Sequence, residues 1–93
     1  MTAPKYEFLD WYTAEYISQC RKAKHMTQEQ LSLKVGLSQQ CISNIEQRWQ
    51  RSVRMHTLLA LINGFDMSYQ EFFDGLGKYL DERGDQKPES INQ

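Results

Sequence analysis

Residues 27–47, TQEQLSLKVGLSQQCISNIEQ, decide the fold. Thr27 stands three residues before Gln30, the S/T-x-x-E/Q spacing at which a hydroxyl and an amide side chain satisfy two orphan backbone amides at a helix start. A helix is therefore expected from this cap to about Val35. Gly36 follows where helices commonly close with a left-handed residue, a conformation that costs a residue with a β-carbon roughly 1 kcal/mol or more. Leu37 is expected to turn inward, and Ser38 to cap a second helix running through about Gln47.

Two short helices joined by a Gly-bearing turn have helix-turn-helix geometry, which many helical hairpins share. The side chains say more. Ile42 and Ile45 lie three apart and are expected to face a core formed with Leu31, Val35 and Leu37. The opposite face then presents Gln39, Gln40, Ser43, Asn44 and Gln47, all hydrogen-bonding and none formally charged. A surface helix is more usually filled with Glu and Lys, which are stronger helix formers. A DNA major groove gives such a face a use, because Gln and Asn amides pair bidentately with the N6/N7 edge of adenine. A merely polar, solvent-facing surface is the competing account.

Outward from this segment, apolar residues recur mostly at helical spacing without sustained alternation, so the fold class is all-α. Helix one is expected over about Trp11 to Lys24, with Ala14, Ile17 and Cys20 on its apolar side. Residues 47–56 lack periodicity and read as a basic loop. A fourth helix is expected from about Met55 to Asn63, ending at Gly64. Ser68 is a cap for a fifth helix over about Tyr69 to Leu80, with Gly75 and Gly77 weakening its continuity by about 1 kcal/mol each relative to Ala. The chain is thus divided into an N-terminal extension at 1–10, a five-helix domain at 11–82 and a flexible polar tail at 83–93.

Ninety-three residues suit one small domain. A hydrophobic content of 40 % with 12 % aromatic and 25 % charged residues is that of a folded chain, not a disordered one. No stretch approaches a membrane span and the first residues lack a signal-peptide pattern, so a cytoplasmic location is expected, with no membrane partner. Two cysteines, Cys20 and Cys41, and two histidines, His25 and His56, have no zinc-type spacing, so neither metal nor other cofactor is expected. No motif sets a nucleophile beside a base, and the core looks too small to shelter a pocket of about 300–1,000 Å³, so an enzyme is not expected.

Net charge is −1, but its distribution is uneven: residues 20–60 carry seven basic side chains against two acidic, and residues 61–93 three against seven. A cationic middle between anionic ends suits a polyanionic partner for the middle. Solvated sign blocks are the alternative.

The segment from Ile17 to Phe73 resembles the lambda-repressor/Cro type of helix-turn-helix domain, the XRE family. The resemblance rests on IxxCRKAKxMTQEQLSLKVGLSQQCISNIEQ at 17–47 and TLLALINGFDMSYQEFF at 57–73. It implies a five-helix lambda-repressor-like domain whose third helix enters the major groove, with subunits working as dimers on successive grooves. It implies base contacts from Gln39, Gln40 and Asn44, with Ser43 on the same face, and a phosphate-gripping and bracing role for Gln28. Ser38 and Gln47, with Arg48, Arg51 and Arg54 of the basic loop, are the further phosphate candidates. Arg21 and Glu46 match a structural pair that ties helix one to the end of helix three. Ser32 stands where the family usually has Ala, and is expected to fit if its hydroxyl bonds the preceding turn. Gln47-Arg48 replaces a common terminal Gly, so helix three is expected to stop differently.

The expected function is a sequence-specific DNA-binding transcriptional regulator of bacterial or phage type, a homodimeric repressor or autoregulator acting on a double-stranded operator. The acidic segment after Asn63, with Phe65, Met67, Tyr69, Phe72, Phe73, Leu76, Tyr79 and Leu80, is a candidate dimer or protein-partner surface. The alternative is a protein-interaction module such as an antitoxin, supported by the aromatic stretch Tyr6, Phe8, Trp11, Tyr12 and Tyr16.

Overall fold

In the computed structural model, which describes residues 8–47 and 53–83, the chain forms five α-helices: α1 Leu9–Ala23, α2 Gln28–Val35, α3 Gln39–Glu46, α4 Met55–Gly64 and α5 Tyr69–Arg83. The caps are those expected from sequence. Thr27 Oγ1 accepts from the Gln30 amide at 3.0 Å while Gln30 Oε1 accepts from the Thr27 amide at 2.8 Å. Gly36 closes α2 in the left-handed region at φ 77°. Ser38 Oγ accepts from the Cys41 amide to open α3, and Ser68 Oγ from the Glu71 amide to open α5.

The core collects one face of every helix. Ile17 and Cys20 of α1, Leu31 of α2, Ile42 and Ile45 of α3, Leu58, Leu61 and Ile62 of α4, and Phe72 and Leu76 of α5 pack with Phe65. Leu37 and Val35 lie partly buried against them. Burial of the larger aliphatic and aromatic members stabilises the fold by about 1.5–3 kcal/mol each before chain entropy is counted. Helices α2 and α3 form one packed pair, braced by α1 against α3 and by α4 against α2, while α5 lies along α1.

Helix α4 ends at Gly64, as expected, but two other local expectations need correction. Gly64 is also buried, and a β-carbon there would collide with the Val35 and Leu31 side chains of α2. Its value is close helix approach, and the left-handed position falls instead on Asp66 at φ 59°. Gly75 does not interrupt α5, and its missing side chain leaves room for the Tyr16 hydroxyl, which a β-carbon there would strike. Helix α1 begins at Leu9 and α5 continues to Arg83, each beyond the expected limit.

Of the aromatic stretch near the N-terminus, Tyr12 and Tyr16 are used inside the fold, and Tyr6 lies outside the described residues. Tyr12 packs edge-on to Tyr79, and Tyr16 packs on both Phe72 and Tyr79. The Tyr79 hydroxyl donates to Glu15 and accepts from Gln19 Nε2 at 3.0 Å, joining α5 to α1. Burial, then the neighbouring Glu15 carboxylate, pushes the Tyr79 phenol up to about 12. Four of the eight apolar residues considered for a partner surface, Phe65, Phe72, Leu76 and Tyr79, are likewise buried in the chain's own core.

Candidate nucleic-acid interface

Helix α3 divides cleanly. Ile42, Ile45 and Glu46 are buried, whereas Gln39, Gln40 and Gln47 are exposed and Ser43 and Asn44 half-buried. At 100° per residue the five polar positions cover one arc of the helix, with Gln40 and Gln47 near its middle about 10 Å apart along the axis. The face is a neutral ridge.

Within the ridge the side chains are partly ordered. Gln40 Nε2 donates to Asn44 Oδ1 at 2.8 Å, and Gln47 Nε2 donates back to Ser43 Oγ at 2.9 Å. The Gln39 side chain bonds no other described residue. Ser38 already uses its hydroxyl oxygen as the cap of α3. The helix stops at Glu46 with Gln47 as its C-terminal cap.

Behind the ridge sits a buried polar node. Arg21 Nε donates to Glu46 Oε2 at 2.7 Å and Nη2 to Glu46 Oε1 at 2.9 Å, a bidentate pair with both residues 8 % exposed. Arg21 Nη1 also donates to the Met26 carbonyl at 2.6 Å, and Gln28 Nε2 to Glu46 Oε1 at 3.1 Å. Burial pushes the Glu46 carboxyl up, but the hydrogen bonds from Arg21 and Gln28, with the Arg21 charge, outweigh it and hold the group below the usual carboxylate range. The Glu46 hydrogen bond in turn raises Arg21, against the opposing effect of burial. The node ties α1, the start of α2 and the end of α3 into one unit, which fixes the direction of the ridge.

Gln28 is thus found bracing α3, with one further N–H beyond the one given to Glu46. Ser32 Oγ donates to the Glu29 carbonyl at 2.7 Å, which explains how a hydroxyl is tolerated at a position the resemblance reserves for Ala. Arg54 is exposed immediately before α4, whereas Arg48, Trp49 and Arg51 lie outside the described residues. The resemblance implied that Gln28 braces helix three, but nothing local in the sequence signals that its partner is Glu46, eighteen positions away. His25 takes a left-handed conformation, φ 59°, in the turn after α1, where no glycine marks it.

A polar cleft of about 460 Å³ runs beside the node, lined by Ser18, Arg21, Lys22, Gln28, Glu46 and Gln47 among others. It is an open surface cleft, not a pocket sheltered in the core. Of the charged groups on its wall, Arg21 and Glu46 are committed to each other. No described residues form a group of three or more side chains fit to hold a metal, and no described helix is long and apolar enough to cross a membrane. Cys20 is buried and Cys41 half-buried, both as free thiols.

Comparison with known proteins places this geometry. A helix-turn-helix family model matches residues 17–72. The crystal structure of the wild-type restriction-modification controller protein C.Esp1396I superposes with a TM-score of 0.76 at 30 % identity, covering 82 % of this chain and 97 % of that one. A second structure of the same controller, a tetramer in complex with its natural 35 base-pair operator, gives 0.74 at 32 % identity over 78 % of this chain and 95 % of the other. No curated protein matches the chain.

Proposed function

The chain belongs to the helix-turn-helix family, and from that premise we propose that it is a sequence-specific DNA-binding regulator, not an enzyme, that reads an operator with the exposed face of α3. The observation that carries this is the neutral ridge Gln39, Gln40, Ser43, Asn44 and Gln47, held outward by a buried node that leaves the ridge no structural duty in the core. Amides and hydroxyls on a rigid helix suit base edges, whose donors and acceptors discriminate without charge. Phosphate contacts fall to Arg54, with Arg48 and Arg51 of the same basic loop, and to Gln28, Ser38 and Gln47 at the ends of the two helices.

The controller tetramer on its operator supports an oligomeric regulator here. Twofold action needs a self-association face, and of the four apolar candidates not buried in the core, Met67 and Leu80 are half-buried while Tyr69 and Phe73, one turn apart on α5, are 46 % and 38 % exposed and best placed for it. In this reading the chain acts as a homodimeric repressor or autoregulator, with half-sites about one helical turn apart.

A gel-shift against random duplex pools at several salt concentrations tests the function. Preference for a defined sequence with a steep fall of affinity as salt rises is expected, since neutralised phosphates release counterions. Binding that is indifferent to sequence, or to salt, contradicts it.

A further inference from the structure

Gln40 and Asn44 sit one turn apart on the ridge, and only Gln40 is fully exposed. Their bond, Gln40 Nε2 to Asn44 Oδ1 at 2.8 Å, has a consequence for what the ridge can recognise. A side-chain amide carries one acceptor oxygen and two N–H donors. Once one Gln40 N–H is given to Asn44, Gln40 retains an Oε1 acceptor and a single N–H on the same planar group. That pair complements the N6 amino group and N7 of adenine. Guanine offers two acceptors, O6 and N7, and a bidentate contact to it needs two donors from the amide, which the bonded Gln40 no longer has.

We propose that Asn44 is a positioning residue for Gln40, so that the two side chains recognise one adenine as a unit, not two bases independently. This rests on the DNA-reading function proposed above. A lone glutamine on a helix surface rotates about three side-chain bonds and presents its amide either way round, so it accepts several base edges and loses freedom on binding. The bond to Asn44 fixes the amide before DNA arrives, which strengthens recognition through pre-organisation and narrows it to one edge pattern. The remaining Asn44 N–H groups stay available to neighbouring phosphate or water, a secondary role.

The test uses the full chain and a duplex selected as its best binder, with the base whose preference Gln40→Ala relaxes replaced by adenine, 7-deazaadenine or guanine. For the wild type, removing the adenine N7 is expected to weaken binding about tenfold. Asn44→Ala should lose most of that discrimination although Gln40 is intact, and Gln40→Ala/Asn44→Ala should discriminate no less than Gln40→Ala alone. Asn44→Asp keeps the acceptor oxygen: its charge should weaken every duplex, yet the ratio of adenine to 7-deazaadenine should remain that of wild type. Thermal unfolding checks that each variant is folded, and Ala at this helical site favours it.

The proposal is overturned if Asn44→Ala keeps the wild-type ratio, if the two substitutions act multiplicatively at separate base positions, or if Gln40→Ala relaxes no position on a duplex the wild type selects. A wild type without any sequence preference overturns the DNA-reading function itself, and this coupling with it.

Discussion

Two clusters of polar side chains meet at α3, a buried one that Glu46 joins to α1 and α2 and an exposed one on the helix's outer face, and they use similar chemistry for opposite ends. In the node, Arg21, Gln28 and Glu46 direct their hydrogen bonds to one another inside the protein. On the ridge, Gln39, Gln40, Ser43, Asn44 and Gln47 bond at most to ridge neighbours and keep donors and acceptors facing out. Gln28 and Gln39 both stand at the first position of their helices, yet one is a brace and the other is open to a ligand. A residue type therefore does not carry its role; the partner behind it does. The node should govern stability and the ridge should govern recognition, and substitutions can pull the two apart.

The largest effect is expected at the node. Removing one member of a buried, bidentate pair leaves the other charge without its partner, so Arg21→Ala or Glu46→Ala should each cost about 3 kcal/mol or more of unfolding free energy, read by urea denaturation. For a 93-residue chain this loss is a large share of total stability. A loss within the noise of a surface mutation would mean that the node is ornamental and that the contrast with the ridge is false.

The same pair gives a pH signature. Because Glu46 is held below its ordinary value of 4.5 in the folded protein, its contribution is fully present above that pH and is lost as pH falls through the lower folded value. The stability gap between wild type and Glu46→Gln should therefore be constant from neutral pH down to about 5 and should shrink on further acidification. A gap that widens in acid would reverse the sign assigned to the Arg21 interaction.

Gly64→Ala probes packing away from both clusters. The added methyl group meets the Val35 and Leu31 side chains well inside contact distance, so these side chains or the spacing of α2 and α4 must give way, at about 1–3 kcal/mol in thermal or chemical denaturation. The folded fraction should keep its base preferences, since no ridge residue is touched. A changed preference would show that α2–α4 spacing sets the reading direction.

The smallest stability change is expected on the ridge. Gln39→Ala should alter unfolding free energy by no more than about 0.5 kcal/mol while relaxing discrimination at one base position by about 1–3 kcal/mol. Arg54→Ala should instead weaken all duplexes about equally and lower the salt dependence. Each is measured by equilibrium binding to a set of single-base variants of the selected duplex.

How much of this was legible in the chain depends on the range of the interaction. The Thr27/Gln30 box, the Gly36 turn and the Ser38 cap are local, three residues or fewer, and stand where their sequence places them. The two faces of α3 follow from helical periodicity alone. Gly64 ends its helix as its position suggests and Gly75 does not interrupt α5; what the sequence could not show is that each makes room for a side chain from a distant helix, Val35 in one case and Tyr16 in the other. Asp66 and His25 adopt left-handed backbone without the residue that advertises it. The bond between Gln40 and Asn44 has helical spacing, but its effect on what Gln40 can offer emerges only from the direction of the donated hydrogen.

The claim that the ridge reads bases is tested most directly by in vitro selection from random duplexes, run in parallel with the wild type and a Gln39→Ala/Gln40→Ala variant of equal thermal stability. The account predicts that the wild type selects a defined motif with two related half-sites, and that the variant selects one relaxed at particular positions in each half. The same motif recovered from both proteins would contradict it.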